Sequence, residues 1–211
     1  MSLVAIGALF LAGCTGGTSE SSAPTTSTAE PSGETAEEIL ARAADITSVK
    51  YDMVASAPGQ LTMTAKMWVK GQNSRMELTQ EGQTMVAIVN MDKQVAYIYF
   101  PAQNMATKMS IQGGAPTVMS QSLVALSGFL AAASPSVVGT EKWDGKDCLI
   151  IETTDGGQTI KVWVWKKYGC PVRLEVPSPG GTMMMEYKNI DFGNIPDSMF
   201  ELPAGVQIQQ Q

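Results

Sequence analysis

Apolar and polar residues alternate over most of this chain. Leu61, Met63, Ala65, Met67 and Val69 take every second place, with Thr62, Thr64, Lys66, Trp68 and Lys70 between them. Period two places one set on each face of a half-buried strand. Lys70-Gly71-Gln72-Asn73 then turns the chain, and Met76 and Leu78 alternate with Arg75, Glu77 and Thr79. Glu81-Gly82 turns it again into Met85–Val89, and Asn90 to Lys93 lead into Val95–Phe100. With Val49–Ala55, Ala106–Met109, Val137–Trp143, Cys148–Thr153, Thr159–Trp165, Val172–Val176 and Thr182–Asp191, the pattern predicts about eleven short strands. Tight Gly, Asn and Asp turns make nearly all neighbours antiparallel, as a long up-and-down meander.

Two segments carry helical spacing instead. Ala36–Ile46 places Ile39, Leu40, Ala43 and Ile46 on one stripe, with Thr35 as its cap and Glu37 and Glu38 in its first turn. Val118–Ala133 places Met119, Leu123, Leu126 and Leu130, with Phe129, at helical spacing between Gly113-Gly114 and Ser134-Pro135. A strongly twisted sheet of this length curls, and these helices are the available filling for its concave face. The expected class is mainly β with α: an unclosed antiparallel half-barrel with helices over the concave side.

The N-terminus reads differently. Leu3 to Ala12 is an apolar run too short to span a bilayer as a helix and suited to a signal sequence, although Met1-Ser2 supplies no Lys or Arg ahead of it. Directly after it, Leu11-Ala12-Gly13-Cys14 resembles the lipobox of bacterial and archaeal lipoproteins. That resemblance implies cleavage before Cys14 and lipidation of its sulfur. Thr15 to Thr35 carries no large apolar side chain, so it cannot bury enough surface to offset the entropy of ordering. As a flexible tether it spans about 25 Å root-mean-square. The expected organisation is a signal peptide over 1–13, a lipidated cysteine and tether over 14–35, and one folded domain over 36–211. The expected location is the outer face of the cytoplasmic membrane or the periplasm, with Cys14 as the anchor.

Composition narrows the chemistry. The net charge of −6 disfavours nucleic acid as a partner and gives no electrostatic attraction to an anionic membrane. There is no histidine, which removes the commonest general base and metal ligand together. Asp144 with Asp147, and Asp191 with Asp197, sit beside turns where Asp favours local hydrogen bonds. The Gly-Gly pairs do not match a phosphate loop. Neither catalysis nor a cofactor is expected. The run Met183-Met184-Met185, even with Met105 and Met109, does not make a thioether metal site, because Met184 points away from its neighbours in a strand. Cys148 and Cys170 are a lone pair, which in an exported protein suggests a disulfide. Strand arithmetic instead sets both opposite Trp165, about 9–10 Å apart and out of bonding reach. A bulge would reconcile the two arrangements, and both stay open.

Three stretches carry a family likeness. They are Trp68-Val69-Lys70 with Arg75, the hairpin Met85 to Asn104, and the ending Asp197-Ser198-Met199-Phe200-Glu201-Leu202-Pro203-Ala204-Gly205-Val206. Together they resemble the LolA/LolB-type lipoprotein carrier superfamily, with its LppX-like and RseB-like relatives. The resemblance implies an unclosed eleven-stranded barrel with helices over its mouth. Gly71 stands where the carriers have an arginine that holds the lid, so the nearer match is an anchored lipid-binding relative. The expected ligand is a lipid or another acylated molecule, held in an apolar cavity of Leu61, Met63, Met67, Met76, Leu78, Met85, Val162, Val164, Leu174, Met183 and Met185. Methionine's unbranched, polarizable side chain suits acyl groups of variable shape. Met119, Leu123, Leu126 and Phe129 are the expected lid. The other expectation is a sensor or scaffold module that uses the same sheet to bind an envelope protein. Trp163 and Trp165, on the opposite face, are a candidate exposed aromatic patch for membrane contact or a partner.

Overall fold

The structure is a computed structural model that describes residues 34–111 and 122–210, apart from the side chains of Asp155 and Gln210. Residues Gly33–Gln211 make one compact unit by themselves. The signal run, Cys14, the tether as far as residue 33, and Met119 lie outside the described residues, whereas Glu34 and Thr35 at the end of the expected tether are described.

The helix predicted over Ala36–Ile46 is α1 (Ala36–Ala41), followed by a 3₁₀ turn over Arg42–Asp45. A reciprocal capping box starts it. The Glu38 amide donates to the Thr35 hydroxyl oxygen at 3.1 Å, and the Thr35 amide donates to the Glu38 carboxylate at 2.8 Å. The second helix, α2, runs over Leu123–Ala132, with the Ser122 hydroxyl accepting from the Ala125 amide.

Twelve strands form one sheet: β1 (Ser48–Ser56), β2 (Met63–Lys70), β3 (Asn73–Gln80), β4 (Gln83–Asn90), β5 (Val95–Phe100), β6 (Met105–Ser110), β7 (Ser136–Trp143), β8 (Lys146–Asp155), β9 (Gln158–Trp165), β10 (Cys170–Ser178), β11 (Gly181–Asp191) and β12 (Gln207–Gln210). The order across the sheet is β12-β6-β5-β4-β3-β2-β1-β11-β10-β9-β8-β7. The sheet is unclosed and, apart from β12, antiparallel, so the curled half-barrel expected from the alternation is the architecture found.

Two details differ from the sequence reading. The meander is not continuous: β1–β6 and β7–β11 are separate antiparallel runs, joined where β1 pairs with β11 (Met53 opposite Tyr187). The segment containing α2 carries the chain from one part of the sheet to its far edge, so β6 and β7 are not neighbours. The second difference is the twelfth strand. β12 is a short polar run without apolar alternation, and it adds parallel to β6.

The register explains the core. Tyr51 faces Met67, which faces Met76, which faces Ala87. The same row parity runs through Met185, Leu174, Val162 and Ile151. This inner face carries the helices: Ile39, Leu40, Leu123 and Leu130 pack into one cluster with Val49, Tyr51, Val69, Ile151, Val162 and Val164. The outer face has two covers. Residues Ile195 to Val206 lie over Val86, Ile88, Tyr99 and Trp68. Trp163, Trp143 and Val172 pack with Cys148 and Ile150 on the other side.

Candidate binding face

Of the sequence-predicted cavity residues, all but Leu61 lie on strands with their side chains on the inner face. Leu61 precedes β2 and is 71% exposed. The face is not uniform along the strands. At the end of the strands near Gly71, Val49, Val69, Val89 and Val164 are buried. Val162, Met67 and Leu174 are also closed beneath the helices. Toward the opposite end Met76, Leu78, Met85, Met183 and Met185 are only half-buried, and Met63 is 42% exposed. Phe100 and Met105, which face each other at the same end, extend this open half. Sequence reading misses them because Phe100 ends its strand, directly before Pro101.

Charge is partitioned as sharply as hydrophobicity. On β1 to β6 the inward positions are Val, Tyr, Met, Ala, Ser, Leu, Ile, Phe, Thr and Gln. The charged residues Lys66, Arg75, Glu77 and Lys108 occupy the alternate, outward places. The polar groups within the buried half are satisfied. Tyr51 accepts from the Leu123 amide at 3.3 Å and packs edge-on against Tyr187, with ring centroids 5.6 Å apart. Tyr187 donates to the Met185 sulfur at 3.1 Å. Burial pushes both phenols well above the ordinary tyrosine range.

A cleft of about 390 Å³ opens at the Gly71 end, between the first turn of α2 and the beginnings of β1 and β3. Val49, Val69, Val89, Met91, Val124 and Ala125 give it apolar walls, and Thr47, Asn73, Ser74 and Ser122 line its polar parts. None of its lining side chains among the described residues is charged. It does not coincide with the open methionine half, which lies toward the other end of the strands. The helices therefore divide the inner face into a filled middle with accessible apolar surface on either side.

The expected lid residues do not share one environment. Leu123 is buried, Leu126 is half-buried against the core, and Phe129 is 55% exposed and faces away from it. Trp163 and Trp165 do lie on the outer face, opposite Val162 and Val164. Trp163 is nonetheless buried: Trp143 packs against it with ring centroids 6.4 Å apart, and the Arg173 guanidinium lies against both rings, 4.8 Å from Trp163 and 4.1 Å from Trp143. Lys161 adds a cation 4.9 Å from the Trp163 ring. Cys148 and Cys170 face Trp165 from either side of β9, as the strand arithmetic requires, and both are free thiols. Burial raises both, Cys170 to about 12, so neither is a ready nucleophile at neutral pH. Among the described residues no group of three or more His, Cys, Asp or Glu is placed to hold a metal ion.

The fold recurs in solved structures of low sequence identity. An uncharacterized conserved protein from Thermus thermophilus superposes with a TM-score of 0.60 at 12% identity, over 84% of this chain and 100% of that one. LprF from Mycobacterium bovis gives 0.51 at 13% identity, over 81% of this chain and 97% of that one. MucB from Pseudomonas aeruginosa, solved in a complex with MucA, gives 0.51 at 15% identity, over 82% of this chain and 63% of that one. The chain thus shares the fold of these three structures. The sequence matches none of the curated proteins. The model of one sequence family, described as a domain of unknown function (DUF4412), matches residues 50–170, more than half of the chain, and the protein belongs to that family.

Proposed function

We propose that this protein is a membrane-anchored envelope lipoprotein that holds the hydrocarbon part of a lipid or acylated ligand against the open half of its inner face. Residues 1–13 are its signal peptide, Cys14 its lipidated anchor and 14–35 its tether. The observation that carries the reading is the uncharged, half-buried row of Leu78, Met85 and Met183, which continues from Met76 and Met185 at the edge of the helix-covered core. A folded chain rarely leaves a large contiguous apolar surface without an occupant. Covering it with an acyl chain gains about 0.8 kcal/mol per buried CH2, so roughly ten methylenes supply about 8 kcal/mol before the cost of association. The headgroup needs no counter-ion on this face and stays in water.

Native mass spectrometry of residues 33–211, purified without detergent from a membrane-bearing host, tests this reading. A releasable adduct identified as lipid supports it. A mass equal to the bare chain, unchanged after incubation with phospholipid vesicles, sinks it. One specific observation favours a second reading, a non-catalytic module that binds an envelope protein: MucB, which shares the fold, is seen in complex with MucA. A bare mass together with a reproducible crosslinked partner in the membrane fraction selects that alternative.

A further inference from the structure

The ten residues of α2, Leu123 to Ala132, contain no charged side chain. Leu123, Ser127 and Leu130 face the core and are buried. On the opposite stripe, Ala125, Gly128, Phe129 and Ala132 are exposed at i, i+3, i+4 and i+7. A helix on the surface of a globular domain ordinarily turns a polar face outward, and one that is apolar all round is ordinarily buried. α2 has an apolar face on each side and, among the described residues, a partner on only one.

We infer that the outward face of α2 docks on a lipid surface. Two relationships select lipid over a protein or a second copy. The first is where the chain leaves the domain. Glu34 is paired with Arg42, α1 packs directly on α2, and Arg42 also donates to the Lys166 carbonyl in the β9–β10 turn. The described chain thus begins, at Glu34, just ahead of the helix that packs against α2, and on the anchored reading a tether of about 25 Å root-mean-square span starts from this side of the domain. The second is continuity with the cleft. Ala125 belongs both to the exposed stripe and to the wall of the uncharged cleft, so the docked face opens directly onto apolar space. Among the described residues no helix is long and apolar enough to cross a membrane, and α2 lies along the surface instead. With a net charge of −6 on the chain, insertion of Phe129 rather than attraction to headgroups drives the contact.

The inference rests on the anchored reading for its orientation, and its test uses no anchor. Residues 33–211 are mixed with zwitterionic phosphatidylcholine vesicles, and partitioning is measured by flotation with backbone hydrogen exchange in parallel. The expected result is salt-insensitive binding, with vesicle-dependent protection over 123–132. Phe129→Glu weakens it about tenfold or more, whereas Phe129→Leu retains it. Exchange on the unsubstituted chain keeps the test independent of how the variants fold. Absence of protection over 123–132 with vesicles overturns the inference. So does protection that rises with protein concentration alone, which makes the face a contact between copies. Lipid adducts that persist without vesicle docking remove this inference only, and docking without adducts removes the cargo reading only.

Discussion

At Gly169 the backbone of the β9–β10 turn passes so close to α1 that an added Cβ would lie 2.1 Å from the carbonyl oxygen of Ile39. The residue also sits at φ +67°, where a side chain is strained in any surroundings. The contact is backbone against backbone, so no rotamer change relieves it. Gly169→Ala is expected to lift α1 from the sheet and to cost about 2–4 kcal/mol in urea unfolding. Gly71→Ala, at a positive φ with open space around it, is expected to cost about 1 kcal/mol. Equal losses in the two variants would show that α1 does not dock as described.

The segment covering the outer face is anchored by one ring. Phe200 is 1% exposed between Val86, Ile88 and Tyr99, and its carbonyl accepts from Asn90 at 3.2 Å. Phe200→Ala is expected to cost about 3–5 kcal/mol. Breaking the exposed Lys93–Glu201 pair with Lys93→Ala is expected to leave the unfolding midpoint nearly unchanged. Chemical denaturation of the two variants separates the contributions.

On the open half, Met85→Glu places a carboxylate where a ligand chain would lie, at a position with water access. Lipid occupancy by native mass spectrometry is expected to fall at least about tenfold, with the unfolding midpoint little changed. Undiminished occupancy in the folded variant would remove Met85 from the site.

Alkaline pH is expected to weaken the fold. Burial raises the folded-state Cys170 thiol from about 9 to about 12, and it raises the Tyr51 and Tyr187 phenols as well. Below about pH 9 these groups are protonated in both folded and unfolded chains, and their full contribution is present. As the pH rises the unfolded chain releases its protons first, so stability declines from about pH 9 toward 12. Urea unfolding at pH 7, 9 and 10.5 follows this loss. Cys170→Ala should flatten the part between about pH 9 and 10, and the tyrosines dominate above it.

Much of this architecture is legible in the sequence, for reasons that can be located. Period-two alternation around Met63–Val69 gives both the strand and its inward face, because a shift of one residue would expose the whole apolar set. Thr35 and Glu38 mark the start of α1 through chemistry local to one turn. Depth is not local. Met67 and Met85 occupy equivalent places in the alternation, yet Met67 is 6% exposed beneath the helices and Met85 is only half-buried. The difference depends on where α1 and α2 come to rest, and nothing near either methionine encodes that. The same holds for Phe129, whose helical spacing from Leu126 does not tell that one side chain turns inward and the other out. The pairing of β1 with β11 is equally hidden, since it joins residues with no turn between them.

That seam also sets an order of events. Met53 meets Tyr187 only after nearly all of the domain has been synthesised, and until then β1 lacks one of its two neighbours. Pairing so distant in sequence makes folding slow and late. A chain emerging N-terminus first can therefore complete its sheet only when its last long strand arrives. Its timing is written into the sheet.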